Sequence, residues 1–263
     1  MPRLLITIPL TLIGLYLVAM LLLWSFQRSI IYPAPQNVVA VGEGYREALL
    51  DTSDGLSSRA FYREANEGKP TIVYFHGNGG TLQGSMAANA PFADEGYGLL
   101  LVNYRGYGGN LGAPSEEGFY EDGRAAMAFL EREGVARGDT ILIGNSIGSG
   151  TAIQMAQEFA PKALILSAPF TSVPDVARQS MGWLPVDWLA KDRFDNAAKI
   201  VDLDLPILIQ HGTSDWQIPH SHGQRLAELA RNADLQLFDG LGHDLTFTAQ
   251  AQQGRLAWVA SLD

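Results

Sequence analysis

The sequence predicts an α/β fold in which helices cover both faces of a mostly parallel sheet, preceded by one apolar helix. Three observations carry this. From about residue 71 onward, short apolar runs bounded by Gly or Pro alternate with helix-length amphipathic stretches. The first 28 residues contain an uncharged run long enough to cross a bilayer. The 263 residues, 47% hydrophobic and 17% charged, suffice for one large domain and exclude a disordered chain.

The first element is the apolar run. Residues 4–24 hold no charge, and 21 residues make a helix of about 31 Å, matching a bilayer core of about 30 Å. Arg3 precedes the run, Arg28 follows it, and Trp24 and Phe26 sit where an interfacial aromatic belt belongs. A cleaved signal peptide has a shorter apolar core and a small-x-small cleavage site. Ser25-Phe-Gln-Arg28 offers no such site, so an uncleaved anchor is the expectation, with a signal peptide and a buried soluble helix as rivals. Pro9 is tolerable in a membrane helix. One arginine on each side leaves orientation almost open. The amino-terminal one tips the reading towards a cytoplasmic amino terminus, hence a single-pass protein with its large domain on the non-cytoplasmic side. The expected division is 1–28 as anchor and 29–263 as the large domain.

Ile31-Tyr-Pro-Ala-Pro35 reads as an extended, Pro-stiffened linker. Strands are expected at 71–75, 98–103, 140–144, 163–167, 205–210 and 235–238, most with the β-branched and Leu content of strands buried on both faces. Helices are expected at 82–95, 116–133 with Ser115 as N-cap, 147–159, 219–230 and 245–262. The stretch 169–204 breaks this rhythm and is too long for a simple connection, so it is read as a small cap insertion. All 28 acidic residues lie after position 40, so residues 27–263 carry 17 bases and a net charge of −11. That balance speaks against a nucleic-acid binder. No cysteine is present, which removes disulfides, thiolate metal sites and cysteine nucleophiles.

Gly144-Asn-Ser-Ile-Gly148 follows an expected strand and precedes an expected helix. This is G-x-S-x-G in its strand–turn–helix setting. A nucleophile at the tip of so sharp a turn has a strained backbone, and the positions two before and two after it have no room for side chains. The turn lifts the Ser146 hydroxyl above the sheet and aims the Ile147 amide at a developing oxyanion. A serine needs a base. Of the five histidines, His243, in the late loop Gly240-Leu-Gly-His-Asp244, fits the order Ser, acid, His. His211 precedes the plausible acid, and His220 and His222 are placed on a solvated helix start. Asp215 follows a strand and would orient His243. Asp239 is the alternative acid. The loop His76-Gly-Asn-Gly-Gly80 after the first sheet strand should provide the second oxyanion amide, assigned to Asn78.

These segments together resemble the α/β-hydrolase superfamily, and most nearly its single-span, membrane-anchored α/β-hydrolase domain-containing serine hydrolases. The resemblance rests on Tyr74-Phe-His-Gly-Asn78, Asn103-Tyr-Arg-Gly-Tyr-Gly108, Pro114-Ser-Glu-Glu-Gly118 and Gly144-Asn-Ser-Ile-Gly148. Pro169-Phe-Thr-Ser172, Asp192-Arg-Phe-Asp-Asn196, His211-Gly-Thr-Ser-Asp215 and Gly242-His243 complete it. It runs from about residue 30 to the end. It implies the α/β-hydrolase fold, a catalytic triad of Ser146, Asp215 and His243, and an oxyanion hole of the Asn78 and Ile147 amides. Asn103 stands where relatives commonly carry Asp, and Asn110 replaces a small serine. Both changes are expected to alter loop packing, and Tyr104, Arg105 and Tyr107 are expected to brace the site wall.

In the cap, Trp183, Leu184 and Trp188 are the expected substrate-binding residues, with Leu184 and Trp188 on one face if Pro185 opens a helix. The expected activity is that of a serine hydrolase cleaving carboxylic esters or thioesters of acyl or lipid-like compounds through an acyl-enzyme. No metal or cofactor is implied. A peptidase or amidase on the same fold, or a non-catalytic membrane-tethered interaction protein, are the alternatives. Nothing in the sequence fixes the oligomeric state.

Overall fold

The computed structural model describes residues 2–262, with side chains from Ile6 onward. The domain limits at residues 1 and 263 and the Arg3 side chain, used above, lie outside the described residues. Helix α1 (Pro2–Ile31) runs seven residues past the uncharged segment and passes through Pro9. An extended segment follows. It is no free linker, because the buried Tyr32 packs edge-on against Phe119 with ring centroids 5.2 Å apart.

An antiparallel hairpin then opens the sheet, β1 (Arg46–Asp51) and β2 (Ser57–Arg63). Next come β3 (Thr71–Phe75), α2 (Leu82–Ala88), α3 (Ala90–Asp94), β4 (Gly98–Val102) and α4 (Glu116–Arg132). They are followed by β5 (Thr140–Asn145), α5 (Gly148–Phe159), β6 (Ala163–Ser167), α6 (Val173–Met181), α7 (Val186–Leu189) and α8 (Asn196–Ile200). The chain ends with β7 (Ile207–Gly212), α9 (Ser221–Leu229), β8 (Ala233–Phe238), a short 3-10 turn (His243–Phe247) and α10 (Ala249–Ala260).

The eight strands lie in the order β1-β2-β4-β3-β5-β6-β7-β8. β2 is antiparallel to both neighbours and every pairing from β4 to β8 is parallel. Successive side chains of a strand point to opposite faces, and the sheet has a core on each. Val73, Phe75, Leu142, Leu164 and Ile209 pack with Phe119, Ile153 and Leu226 of α4, α5 and α9. Their neighbours Ile72, Tyr74, Ile141, Ile143, Ile165 and Leu208 pack with Phe92 of α3 and Trp258 of α10.

The helix expected at 82–95 is two helices. They break at Asn89 because Pro91 cannot continue the first one's hydrogen bonds. The helix expected from 245 starts only at Ala249, where Thr248 caps it. Ser115 caps α4, its Oγ accepting the Gly118 amide at 3.0 Å. The stretch 169–204 holds α6, α7 and α8.

Candidate active site

The carboxyl ends of the parallel strands converge on one edge of the sheet, where sites of open α/β sheets form. Ser146 follows β5 with φ at +51°, in the left-handed region that a non-glycine residue enters only under constraint. A Cβ at Gly148 would run into the carbonyl oxygens of Phe75 and His76 on β3's carboxyl end, so only glycine lets α5 start this close to the sheet. The strained Ser146 backbone is held by its own amide, which donates to the Ser167 carbonyl at 2.9 Å.

His243 Nε2 lies 2.9 Å from Ser146 Oγ, and its Nδ1 lies 2.7 Å from Asp215 Oδ2. With Nδ1–H donating to the carboxylate, Nε2 is left as the acceptor for the serine proton. Asp215 Oδ1 accepts the amides of Gln217 and Ile218, both at 2.9 Å. Burial would push the Asp215 carboxyl up. The hydrogen bonds from His211, His243 and the Ile218 amide outweigh it and hold the group below the usual carboxylate range. Asp239, the alternative acid, instead accepts the Thr213 hydroxyl at 3.1 Å.

Asn78 and Ile147 line the same cavity as Ser146 and His243, and among the described residues no acceptor takes either backbone amide. The cavity holds about 380 Å³, within the usual range for small-molecule sites. Phe170, Val173, Val176, Met181, Leu184, Val186 and Leu189 supply much of its apolar wall. Of the three cap residues expected to bind substrate, only Leu184 reaches it. Trp183 and Trp188 stand on the outside, 60% and 90% exposed. The reason is local: α7 begins at Val186, so Leu184 precedes the helix and shares no helical face with Trp188. His222 is a second departure. It is buried rather than solvated, with Nδ1 2.8 Å from Thr171 Oγ1, and burial lowers its pKa.

Two residues that brace the site escaped the motif reading. His211 Nε2 faces the Ile218 carbonyl at 2.9 Å and Asp215 Oδ2 at 3.3 Å, adding a second imidazole to the carboxylate. Its position four residues before Asp215 at the end of β7 was the available signal. Arg255 of α10 is fully buried and donates to the Thr246 hydroxyl, the Thr246 carbonyl and the Ala88 carbonyl at 2.9–3.1 Å. It pins the segment carrying His243 against α2, and nothing in the sequence marked it.

The expected brace at 104–107 is present. The Tyr104 ring stacks on Phe119 at 3.8 Å, and its hydroxyl donates to the His76 carbonyl at 3.3 Å. Arg105 binds the buried Asp122 through Nε and its backbone amide, and Asp54 through Nη1. Burial raises the Asp122 carboxyl to about 6, against the pull of Arg105. Asn103 donates to the Tyr107 carbonyl, and Asn110 accepts the Arg59 amide, both loop-packing roles.

A family model described as serine aminopeptidase, S33, matches residues 66–197. The chain belongs to this family of α/β hydrolases. The uncharacterized protein Rv2307c of Mycobacterium tuberculosis is 34% identical over 235 residues, 84% of this chain and 82% of its own. Human protein ABHD12B is 33% identical over 188 residues, covering 64% of this chain and 51% of that one. Zebrafish lysophosphatidylserine lipase ABHD12 is 30% identical over 181 residues, covering 61% and 47%. The chain thus aligns with only about half the length of these two vertebrate relatives. Among solved structures, a Pyrococcus furiosus esterase superposes with a TM-score of 0.70 at 17% identity, covering 87% of this chain and 95% of that one. Est1E from Butyrivibrio proteoclasticus gives 0.69 at 17% identity, covering 82% and 98%. Among the described residues, this α/β hydrolase has one helix, Ile6–Ile31, long and apolar enough to cross a membrane.

Proposed function

We propose that this α/β hydrolase is a membrane-anchored serine esterase acting on carboxylic esters or thioesters with an apolar acyl chain. The observation that carries the reading is the hydrogen-bonded series Asp215–His243–Ser146 at the floor of an apolar cavity. Ser146 Oγ attacks the acyl carbonyl carbon as its proton passes to His243 Nε2, and the carbonyl π electrons move onto oxygen. The amides of Asn78 and Ile147 hold that oxyanion. Asp215 fixes the His243 tautomer and stabilises the imidazolium. Collapse breaks the bond to the leaving oxygen or sulfur, which takes the proton from Nε2 and departs as alcohol or thiol. Water then attacks the acyl-enzyme through the same base. Its proton returns by way of His243 to Ser146, and the carboxylic acid leaves.

The lipase relatives support an acyl substrate. The family description raises an aminopeptidase as the rival. An aminopeptidase must bind a substrate ammonium, and the cavity lining contains no Asp or Glu, which favours the ester. The apolar span of α1 supports anchoring. Arg3 ahead of it supports a cytoplasmic amino terminus with the hydrolase domain, residues 29–263, on the other side.

The test is labelling of the full chain with a fluorophosphonate probe, beside turnover of 4-nitrophenyl esters and aminoacyl anilides. Wild type should label and cleave the esters. Ser146→Ala should abolish labelling, and His243→Ala should cut ester turnover by about 10⁴-fold or more. Labelling that survives both substitutions, or anilides cleaved faster than esters, overturns the reading.

A further inference from the structure

The carboxyl-terminal half of α1 has a second role besides crossing the bilayer. Tyr16, Met20, Leu23, Gln27 and Ile31 recur at the spacing of one helical face, and that face lies on the hydrolase domain. Gln27 is held at both ends of its amide: Nε2 donates to the Leu189 carbonyl at 2.9 Å, and Oε1 accepts the Lys191 amide at 2.8 Å. Arg28 makes two 2.8 Å hydrogen bonds to the buried Asp192 carboxylate. Beyond them, Asn78 of the loop beside Ser146 donates to the Ile31 carbonyl at 3.3 Å. Docked this way, Leu23, Trp24, Gln27, Ile30 and Ile31 become one wall of the cavity that ends at Ser146 and His243.

That wall starts beside the serine at Ile31 and reaches Leu23, about 12 Å away along the helix axis. The helix then continues as exposed apolar side chains from Ile6 to Val18. The cap follows it. The exposed Trp183 meets Tyr16 with ring centroids 6.0 Å apart, and the Tyr16 hydroxyl donates to the Trp183 carbonyl at 3.2 Å. Tyr16 lies two turns, about 12 Å, deeper in the span than Trp24. Trp24 itself carries the Lys191 ammonium 3.8 Å above its ring, as suits a residue at headgroup level. With Trp24 at the interface, Trp183, which meets Tyr16, lies about 12 Å below it, within the acyl-chain layer. No Lys, Arg, Asp or Glu lines the cavity. A hydrocarbon chain held in the cavity therefore meets no charged lining side chain.

We propose that α1 is a wall of the acyl site as well as an anchor, and that the site takes a single-chain acyl ester sideways from the leaflet. The ester carbonyl then lies at Ser146 and the tail between α1 and the cap helices α6 and α7. This rests on the esterase reading above. Substitutions on the two sides of α1 test it in the full chain reconstituted in phosphatidylcholine vesicles. Leu23→Trp fills the wall, Leu23→Ala enlarges it, and Leu22→Trp adds the same bulk on an exposed face. The readout is turnover of 4-nitrophenyl palmitate divided by that of the butyrate. Leu23→Trp should lower this ratio about tenfold, Leu23→Ala should raise it, and Leu22→Trp should leave it unchanged. In parallel, Ser146→Ala protein is photolysed with a lysophosphatidylcholine bearing a diazirine near the end of its chain. Crosslinks should fall at residues 23–31 and 173–190. Unchanged ratios in both Leu23 variants, or crosslinks confined to the outward face of α1, overturn the proposal while esterase activity stands. Wild type that neither cleaves esters nor takes the fluorophosphonate sinks the esterase reading instead, and the crosslinks still decide whether α1 walls a lipid site.

Discussion

The Arg28–Asp192 pair should decide how firmly α1 is held on the hydrolase domain. Asp192 is 2% exposed at its side chain, and its carboxylate takes two hydrogen bonds from Arg28 and one from the Glu116 amide at 3.1 Å. Arg28→Ala removes the two charged donors and leaves the buried carboxylate with that amide. Breaking a fully buried pair costs about 3–5 kcal/mol. The Arg28 side chain is 48% exposed, so water screens part of the interaction and roughly 2 kcal/mol is the appropriate figure. For a chain of this size that lowers Tm by about 4–8 °C. Should the loss be confined to undocking of α1, the Lys191 amide reports it, because it donates to Gln27 Oε1 across the same junction. Its hydrogen-exchange protection should fall about 30-fold. Asp192→Asn, which removes the charge and keeps the shape, should cost less. Adding it to Arg28→Ala should cost less than the sum of the two. The measurements are thermal melts and amide exchange of the full chain in detergent micelles. An Arg28→Ala protein with unaltered Tm and unaltered Lys191 protection would show that this pair does not dock α1.

Two further perturbations test the site itself. Gly148→Ala drives a methyl group into the Phe75 and His76 carbonyls, which are backbone and cannot swing away. It should cost about 3 kcal/mol or more, or prevent folding. Gly79→Ala, where a Cβ meets nothing within 4 Å, should change stability by less than about 0.5 kcal/mol. Urea denaturation of both compares them, and equal losses would contradict the close approach of α5 to β3. Asp215→Asn bears on pH. The native carboxyl is held below its ordinary value, so its contribution is fully present above the unfolded pKa of about 3.9 and is lost as pH falls through the native value. The stability gap between wild type and Asp215→Asn should therefore shrink as pH falls below about 4. A gap that persists undiminished to about pH 2 would mean that another group controls the difference.

Motifs with a steric cause were readable in advance, and features that depend on long-range packing were not. Gly144-Asn-Ser-Ile-Gly148 announces a turn because the glycines are a local requirement of the backbone, and the structure has that turn with Ser146 at positive φ. The parallel strands were legible because burial on both faces demands continuous apolar runs. β1 and β2 escaped notice because an edge hairpin alternates exposed and buried positions over only six or seven residues. The stretch 169–204 holds three short helices, and of the three residues expected in the pocket only Leu184 lines it. Trp183 and Trp188 are large and apolar, and the assumption that size means burial in the pocket fails for both, which stand exposed on the outside of the cap. Arg28 looked like a membrane-flanking charge. Its partner Asp192 lies 164 residues away, a distance that no spacing rule spans.

The division between what could and could not be read follows from how the site is built. Ser146, Asp215 and His243 leave the carboxyl ends of β5, β7 and β8, which lie within a run of four adjacent strands. With strands about 4.8 Å apart, the β8 loop must carry His243 back across some 14 Å to reach Ser146. It does so by passing close to β7, where a Cβ on Gly212 would strike the Leu241 carbonyl, and through a 3-10 turn pinned by Arg255. The hydrogen-bonded series is thus placed jointly by the sheet and by the loop that Arg255 pins. The remaining walls are set by α1, α6 and α7, which lie outside the sheet and are positioned by Gln27, Arg28 and Tyr16. Selectivity should therefore change with substitutions on α1 that leave Asp215, His243 and Ser146 undisturbed. Removing α1 should likewise alter which substrates are preferred, because it removes one side of the site.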